Sequence, residues 1–202
     1  NNMPELPEVE TIKNMVEQKM RGAFIQNVTV RQRMFRQVIP SDFEKRIEGA
    51  TIVSLRRIAK YMLIDLDNGQ TIIWHFGMSG KIKIEKETPR NYDKHDHIIF
   101  KTDKGFLIYN DVRRFGLLTV CSADKVYQCS LLKDLGLDPW DENLTSSYLV
   151  AKLKNKKCAI KIALLDQSII CGIGNIYASE ILYKARIHPS RKSDEITLEE
   201  CT

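Results

Sequence analysis

The sequence contains no CxxC pair: its five cysteines, Cys121, Cys129, Cys158, Cys171 and Cys201, are scattered and odd in number. Neither a thiolate zinc site nor a complete disulfide framework can be read from them, and a reducing cytoplasm suits such usage best. No apolar run approaches the roughly 18 residues that a membrane-crossing helix needs. The N-terminus lacks the basic and apolar regions of a secretion signal. Repeats and low-complexity tracts are missing as well, and the expectation is an ordinary soluble, intracellular globular protein.

What is present is 202 residues with 43% hydrophobic and 28% charged content, enough for one large domain or two small ones around a sizeable core. The formal net charge of +5 and a pI near 8.9 favour a polyanionic partner, because Lys and Arg gain affinity by releasing counterions condensed on phosphates. That cue is weak alone, since many proteins that bind no polyanion are as basic.

The chain has two textures. After Pro7, Val9, Ile12, Met15, Val16 and Met20 recur at helical spacing, with Glu8 and Glu10 suited to the first turn. From about Phe24 to Val120 the pattern is that of strands. Val28 and Val30 alternate with polar neighbours, and Tyr61–Leu66 runs through Asp67-Asn68-Gly69 into Thr71–Phe76. Further strands are expected at Lys81–Ile84, His97–Thr102 and, across Asp103-Lys104-Gly105, at Phe106–Tyr109. A mostly antiparallel sandwich follows. Beyond Gly136-Leu137-Asp138-Pro139 the texture is helical, with candidates at Thr145–Lys154, Ala159–Asp166 and Ile176–Lys184 and an interruption at Gly172-Ile173-Gly174-Asn175. The boundary is expected near residues 125–140, with domains at 1–130 and 131–202.

The segment Pro4-Glu5-Leu6-Pro7-Glu8-Val9-Glu10 reads in isolation as a helix start. A proline at the mature N-terminus, however, is a secondary amine with a pKa of about 8, partly unprotonated at neutral pH. Such an amine can attack the C1′ of a damaged nucleotide, expelling the base and leaving an iminium that drains electrons from the sugar. Elsewhere the bland readings are a solvated strand flank for Lys60, a core gap-filler for Met78, a core residue for Phe115 and a solvated face for the lysines between Lys152 and Lys161. Lys94-His95-Asp96-His97 places two imidazoles one residue apart with no nearby Cys, a weak metal site that suits phosphate contact better.

In the expected order, these segments resemble the motifs of the bacterial formamidopyrimidine-DNA glycosylase family along essentially the whole chain. The resemblance implies Pro4 as Schiff-base nucleophile, Glu5 as the acid that helps open the sugar ring, and Glu8 as a supporting acid. Lys60, in Arg56-Arg57-Ile58-Ala59-Lys60-Tyr61, matches the family's strand lysine, the proton donor for β-elimination. Met78, in His75-Phe76-Gly77-Met78-Ser79-Gly80, would fill the space left by an everted base. In Asp111-Val112-Arg113-Arg114-Phe115-Gly116, Arg113 would pair with the orphaned base and Phe115 would wedge the stack. His95, Lys156, Lys161, Asn175 and the backbone near Tyr177 would hold phosphate, the last two in a helix-two-turn-helix that presents glycines and a helix N-terminus to the DNA.

The implied protein is an α+β base-excision-repair enzyme. An antiparallel β-sandwich with flanking helices is followed by an incomplete helix-two-turn-helix domain, and the activity is that of a DNA glycosylase and AP lyase for oxidised purines. It would act as a cytoplasmic monomer on double-stranded DNA containing oxidised bases or abasic sites. Two departures stand out. Asn1-Asn2-Met3 precede Pro4, and while attached they make its nitrogen a non-nucleophilic amide, which suggests an expression remnant or an upstream start. The family's four-cysteine zinc finger, which assists δ-elimination, has no counterpart before Thr202, so Zn2+ is implied only beyond this sequence. The sequence ends where Thr197–Thr202 reads as a helix beginning. The alternatives are an endonuclease VIII-type glycosylase for oxidised pyrimidines and a catalytically silent damage-binding module.

Overall fold

A computed structural model describes residues 4–202; Asn1-Asn2-Met3, and the question of what precedes Pro4, lie outside the described residues. The chain divides into two compact units, the first running through Cys129 and the second covering Ser130–Thr202.

The first unit opens with helix α1, Leu6–Met20. Glu5 is its N-cap, in extended conformation, and the Glu5 N–H donates to Glu8 Oε2 at 3.1 Å in a capping box. Pro7 therefore sits in the first turn, where its missing N–H costs nothing. Leu6, Val9, Val16 and Met20 form the buried stripe, which packs on two of the strands that follow.

Eight strands form two four-stranded antiparallel sheets. In chain order they are β1 Ile25–Val30, β2 Ile52–Ile58, β3 Tyr61–Leu66, β4 Gln70–His75, β5 Gly80–Glu85, β6 Asp96–Thr102, β7 Gly105–Asp111 and β8 Leu117–Ser122. One sheet has the order β1-β6-β7-β5 and the other β2-β3-β4-β8. Helix α2, Phe43–Ile47, lies between β1 and β2 in the chain. Aromatic rings from both sheets meet in the shared core: Trp74 of β4 is T-shaped to Tyr109 of β7 at 5.1 Å and tilted against Phe100 of β6 at 5.6 Å.

Two features carry no readable signal in the sequence. The β2 strand carries a bulge between Ile52 and Ser54, which breaks its period-2 signal. Helix α2 is only five residues long, too short to display a period. Strands β6 and β7, expected at His97–Thr102 and Phe106–Tyr109, are buried on both faces, and Ile99, Phe106 and Ile108 form a small apolar cluster of their own.

The second unit contains α3 Ser146–Leu153, α4 Ile160–Leu165 and α5 Asn175–Ala185. Thr145 caps α3, its Oγ1 accepting from Tyr148 N at 3.1 Å. Leu153, Ile160, Leu164, Ile169, Leu182 and Ile187 are among the residues of its core. Thr197 and Glu200 exchange backbone and side-chain hydrogen bonds as a capping box does, ahead of a short 3-10 turn at Glu199–Cys201.

Candidate active site and nucleic-acid interface

The start of α1 and the β2–β3 hairpin bring acids and a lysine together. Lys60 does not lie within a strand, as the resemblance led us to expect; it occupies the two-residue turn between Ile58 and Tyr61, which are paired across the hairpin. Its neighbour Ala59 adopts φ 53, a left-handed conformation costly for a residue with a Cβ. Arg57 holds this turn to the helix, donating from Nη1 to Ala59 O at 2.8 Å and from Nε to Glu10 Oε2 at 2.9 Å. Lys60 is consequently buried, 5% exposed, as is Glu5 at 3%. Burial lowers the Lys60 pKa from its ordinary value, and the charges of Glu5 and Glu8 oppose that fall. Glu8 is exposed, and its carboxylate is committed to the helix cap.

His75, at the end of β4, is nearly buried and held neutral: burial first, then the Arg36 and Lys60 charges, push its pKa down to about 3. Its Nδ1 accepts the Gly77 N–H at 3.0 Å, which assigns the proton to Nε2. Sequence reading did not single out His75 as a site residue, and its only signal was its place one turn before Met78.

Met78, Arg113 and Phe115 come from two separate loops and touch. The Arg113 guanidinium lies over the Phe115 ring at 4.6 Å, and its Nη1 is 3.4 Å from Met78 Sδ. Phe115 is 44% exposed. Beneath the trio sits Asp111, fully buried. Gly77, at φ 60, and Gly116 permit the two loops to approach: a Cβ on Gly77 would stand 2.4 Å from the Phe115 carbonyl carbon, and one on Gly116 would stand 1.9 Å from Tyr109 Oη. Beside the trio, the 31–39 loop adds Met34, Phe35 and Arg36 to Arg113, Arg114 and Phe115 around a recess of about 440 Å³.

His95 is partly exposed; its N–H donates to Asp93 Oδ1 at 2.8 Å and its ring lies 5.7 Å from that of His97. His97 is buried against the Asp111 carbonyl at 3.0 Å, and burial lowers its pKa. No three His, Cys, Asp or Glu side chains among the described residues converge on a metal position, and none of the five cysteines is joined in a disulfide.

In the second unit the glycine-bearing loop before α5 is clasped by Gln167. Its Nε2 donates to Leu165 O and Ile173 O, both at 3.1 Å, while its Oε1 accepts the Gly172 N–H at 2.8 Å. Gly172, at φ 87, makes the turn, and Gly174 caps α5. Asn175 then stands exposed at the first helical position, and Tyr177 is half-buried two residues on. Lys161 lies in the first turn of α4, partly exposed. Lys156 departs from a free clamp: its Nζ pairs with Asp166 Oδ2 at 3.0 Å, both side chains about one-third exposed. Asp166 in turn fixes the loop by accepting the Ser168 N–H and Oγ–H.

A sandwich with a proline–acid pair at the start of its first helix, followed by a helical unit with a glycine loop before an exposed helix N-terminus, defines a class found among DNA-processing proteins. Residues 3–118 match the model of the formamidopyrimidine-DNA glycosylase N-terminal domain, and residues 135–202 match that of the formamidopyrimidine-DNA glycosylase H2TH domain. The formamidopyrimidine-DNA glycosylase of Zymomonas mobilis is 42% identical over 201 residues, spanning 99% of this chain and 73% of the relative. That of Rickettsia africae is 41% identical over 195 residues, 96% of this chain and 71% of the relative. The Lactococcus lactis enzyme bound non-covalently to DNA containing an AP site superposes with a TM-score of 0.90 at 32% identity, covering 98% of this chain and 76% of that one. The same enzyme with DNA containing an oxidised pyrimidine gives 0.90 at 33% identity, covering 98% of this chain and 74% of that one. The chain belongs to the formamidopyrimidine-DNA glycosylase family.

Proposed function

We propose that the protein excises oxidised purines from duplex DNA and cleaves the resulting abasic site through a Schiff base at Pro4, provided that the Pro4 nitrogen is a free amine. The observation that carries this reading is the burial of Glu5 and Lys60 together where Pro4 begins the path into α1. The Pro4 nitrogen attacks C1′ and the glycosidic bond breaks with its electron pair leaving on the base, which takes up the proton shed by that nitrogen; the nitrogen lone pair then expels the ring oxygen, protonated by Glu5, and leaves an iminium at C1′. The iminium acidifies the sugar C2′ proton. Loss of that proton expels the 3′ phosphate, and Lys60, its pKa lowered by burial, is suited to moving protons in this step.

Met78, Arg113 and Phe115 supply what eversion of a base demands: an apolar filler, forked donors for the orphaned partner and a ring to replace lost stacking, which offset an unstacking cost of a few kcal/mol. His95, Lys161, Asn175 and, less freely, Lys156 would hold phosphates, which fixes position without reading sequence. A structure of the Lactococcus lactis relative holds DNA containing Fapy-dG, which favours the oxidised-purine reading, while the same enzyme's oxidised-pyrimidine complex makes the range a matter for measurement.

The test is base release from duplexes carrying 8-oxoguanine, a formamidopyrimidine or an oxidised pyrimidine, with protein whose first residue is verified as Pro4. The expected result is faster release of both purine lesions than of the pyrimidine. A pyrimidine preference would favour the endonuclease VIII-like range, and lesion binding with no release of any base would leave a silent damage-binding module.

A further inference from the structure

The wedge side chains lie on two loops that sequence places more than thirty residues apart, and one buried carboxylate joins them. Asp111 Oδ1 accepts the Ser79 Oγ–H at 2.6 Å and the Arg114 N–H at 3.0 Å, while Oδ2 accepts the Tyr109 Oη–H at 2.8 Å and the Gly116 N–H at 3.0 Å. Its own N–H donates to His95 O at 3.1 Å, and its carbonyl faces His97 Nε2. The carboxylate is thus saturated by four donors drawn from three places: strand β7 itself, the 112–116 loop and the 77–80 loop. Ser79 then relays the connection, because the same Oγ accepts the Arg113 N–H at 2.9 Å.

We propose that the Asp111–Ser79 pair is a positioning device for lesion recognition, holding Met78, Arg113 and Phe115 as one preassembled wedge; this rests on the reading of that trio given above. The chemistry of the pair supports a positioning role over a contact role. Asp111 is fully buried, so its charge is spent on the loops and not on a ligand. A carboxylate accepts at both oxygens, whereas the amide of an asparagine would point two donors at groups that themselves donate. Without the Ser79 link, Arg113 would keep its side chain but lose the anchor of its backbone. The orphaned base would then meet a guanidinium and a ring that have first to be ordered, an entropy cost that intact duplex never incurs.

Ser79→Ala isolates this role, since it removes one hydroxyl at a half-buried position and leaves the other three Asp111 contacts in place. Binding is measured to intact duplex and to a duplex containing a stable reduced abasic site opposite 2-aminopurine, whose fluorescence reports the orphaned base. Ser79→Ala should lose roughly five- to tenfold in the abasic-to-intact affinity ratio, the lower end of what the two hydrogen bonds of its hydroxyl contribute. Its 2-aminopurine response should fall and its intact-duplex affinity should hold, with Ser79→Thr restoring both ratio and response. Tyr109→Phe, which removes a different Asp111 donor, should give a smaller loss of the same kind. A wild-type protein that discriminates the abasic site, beside a Ser79→Ala protein that discriminates equally well, would overturn the proposal alone. Losses that appear equally on intact duplex would do the same. A wild-type protein and a Phe115→Ala protein that both ignore the abasic site would overturn the wedge reading and this proposal with it.

Discussion

Lys60 of the sandwich unit is 5% exposed and sits in a turn that Arg57 pins to α1, whereas Asn175 of the helical unit faces solvent at the first position of its helix. The same contrast recurs between Asp111, saturated by four donors, and Lys156, whose ammonium pairs with an Asp166 carboxylate about as exposed as itself. The difference follows from the work proposed for each. Covalent chemistry needs groups fixed within a fraction of an ångström and shielded from water, which burial and hydrogen bonds provide. Gripping a phosphate backbone needs positive charge and free N–H groups within reach of solvent, where rigidity adds little.

The contrast is tested most severely at Lys60. Lys60→Ala should slow strand cleavage at an abasic site by about 10²-fold or more while leaving duplex affinity nearly intact. An equal loss in binding and cleavage, measured by titration and by single-turnover product formation, would place Lys60 with the grip.

Next in size is an effect of pH on the sandwich unit alone. His75 has its pKa pushed down to about 3 in the folded state, so above its ordinary 6.5 it is neutral both folded and unfolded and contributes nothing. As pH falls below 6.5 the unfolded chain takes up a proton that the folded one refuses, and stability declines until about pH 3. Between pH 6.5 and 5 that decline is about 2 kcal/mol. Chemical denaturation at the two pH values should show it, and His75→Gln should flatten it. A pH dependence unchanged in His75→Gln would show that other groups carry the effect.

Smaller still is the split between wedge and clamp. Phe115→Ala should lose roughly tenfold on lesion duplex and little on intact duplex, since the unstacking cost that it offsets arises only when a base leaves the stack. Lys156→Ala should weaken both duplexes alike, by a few-fold, and flatten the salt dependence by at most about one unit of slope, because Asp166 already occupies part of its charge. Exchanged patterns, with Phe115→Ala uniform and Lys156→Ala lesion-selective, would invert the assignment.

Much of this arrangement was legible in the sequence because its signals are local. The α1 stripe, the Asp67-Asn68-Gly69 and Asp103-Lys104-Gly105 turns and the helical segments near Thr145–Lys154 and Ala159–Asp166 depend on residues a few positions apart. The trio of Met78, Arg113 and Phe115 was named from motif resemblance, but their contact was not readable, since nothing in either segment says that the other lies against it. Asp111 shows the limit more sharply: its four donors come from positions 79, 109, 114 and 116, and only the fold gathers them. Lys60 was placed in a strand by motif resemblance alone, and the φ of 53 at Ala59 that makes the turn carries no residue signature when glycine is not used.

The most direct test of the account is borohydride trapping on duplex DNA containing an oxidised purine, followed by peptide mapping of the adduct. Protein whose first residue is Pro4 should become covalently attached through that residue, and protein retaining Met3 should give no adduct while still binding the duplex. An adduct at Pro4 in protein confirmed by mass to retain Met3, or one mapped to Lys60 in place of Pro4, would contradict the assignment of the nucleophile.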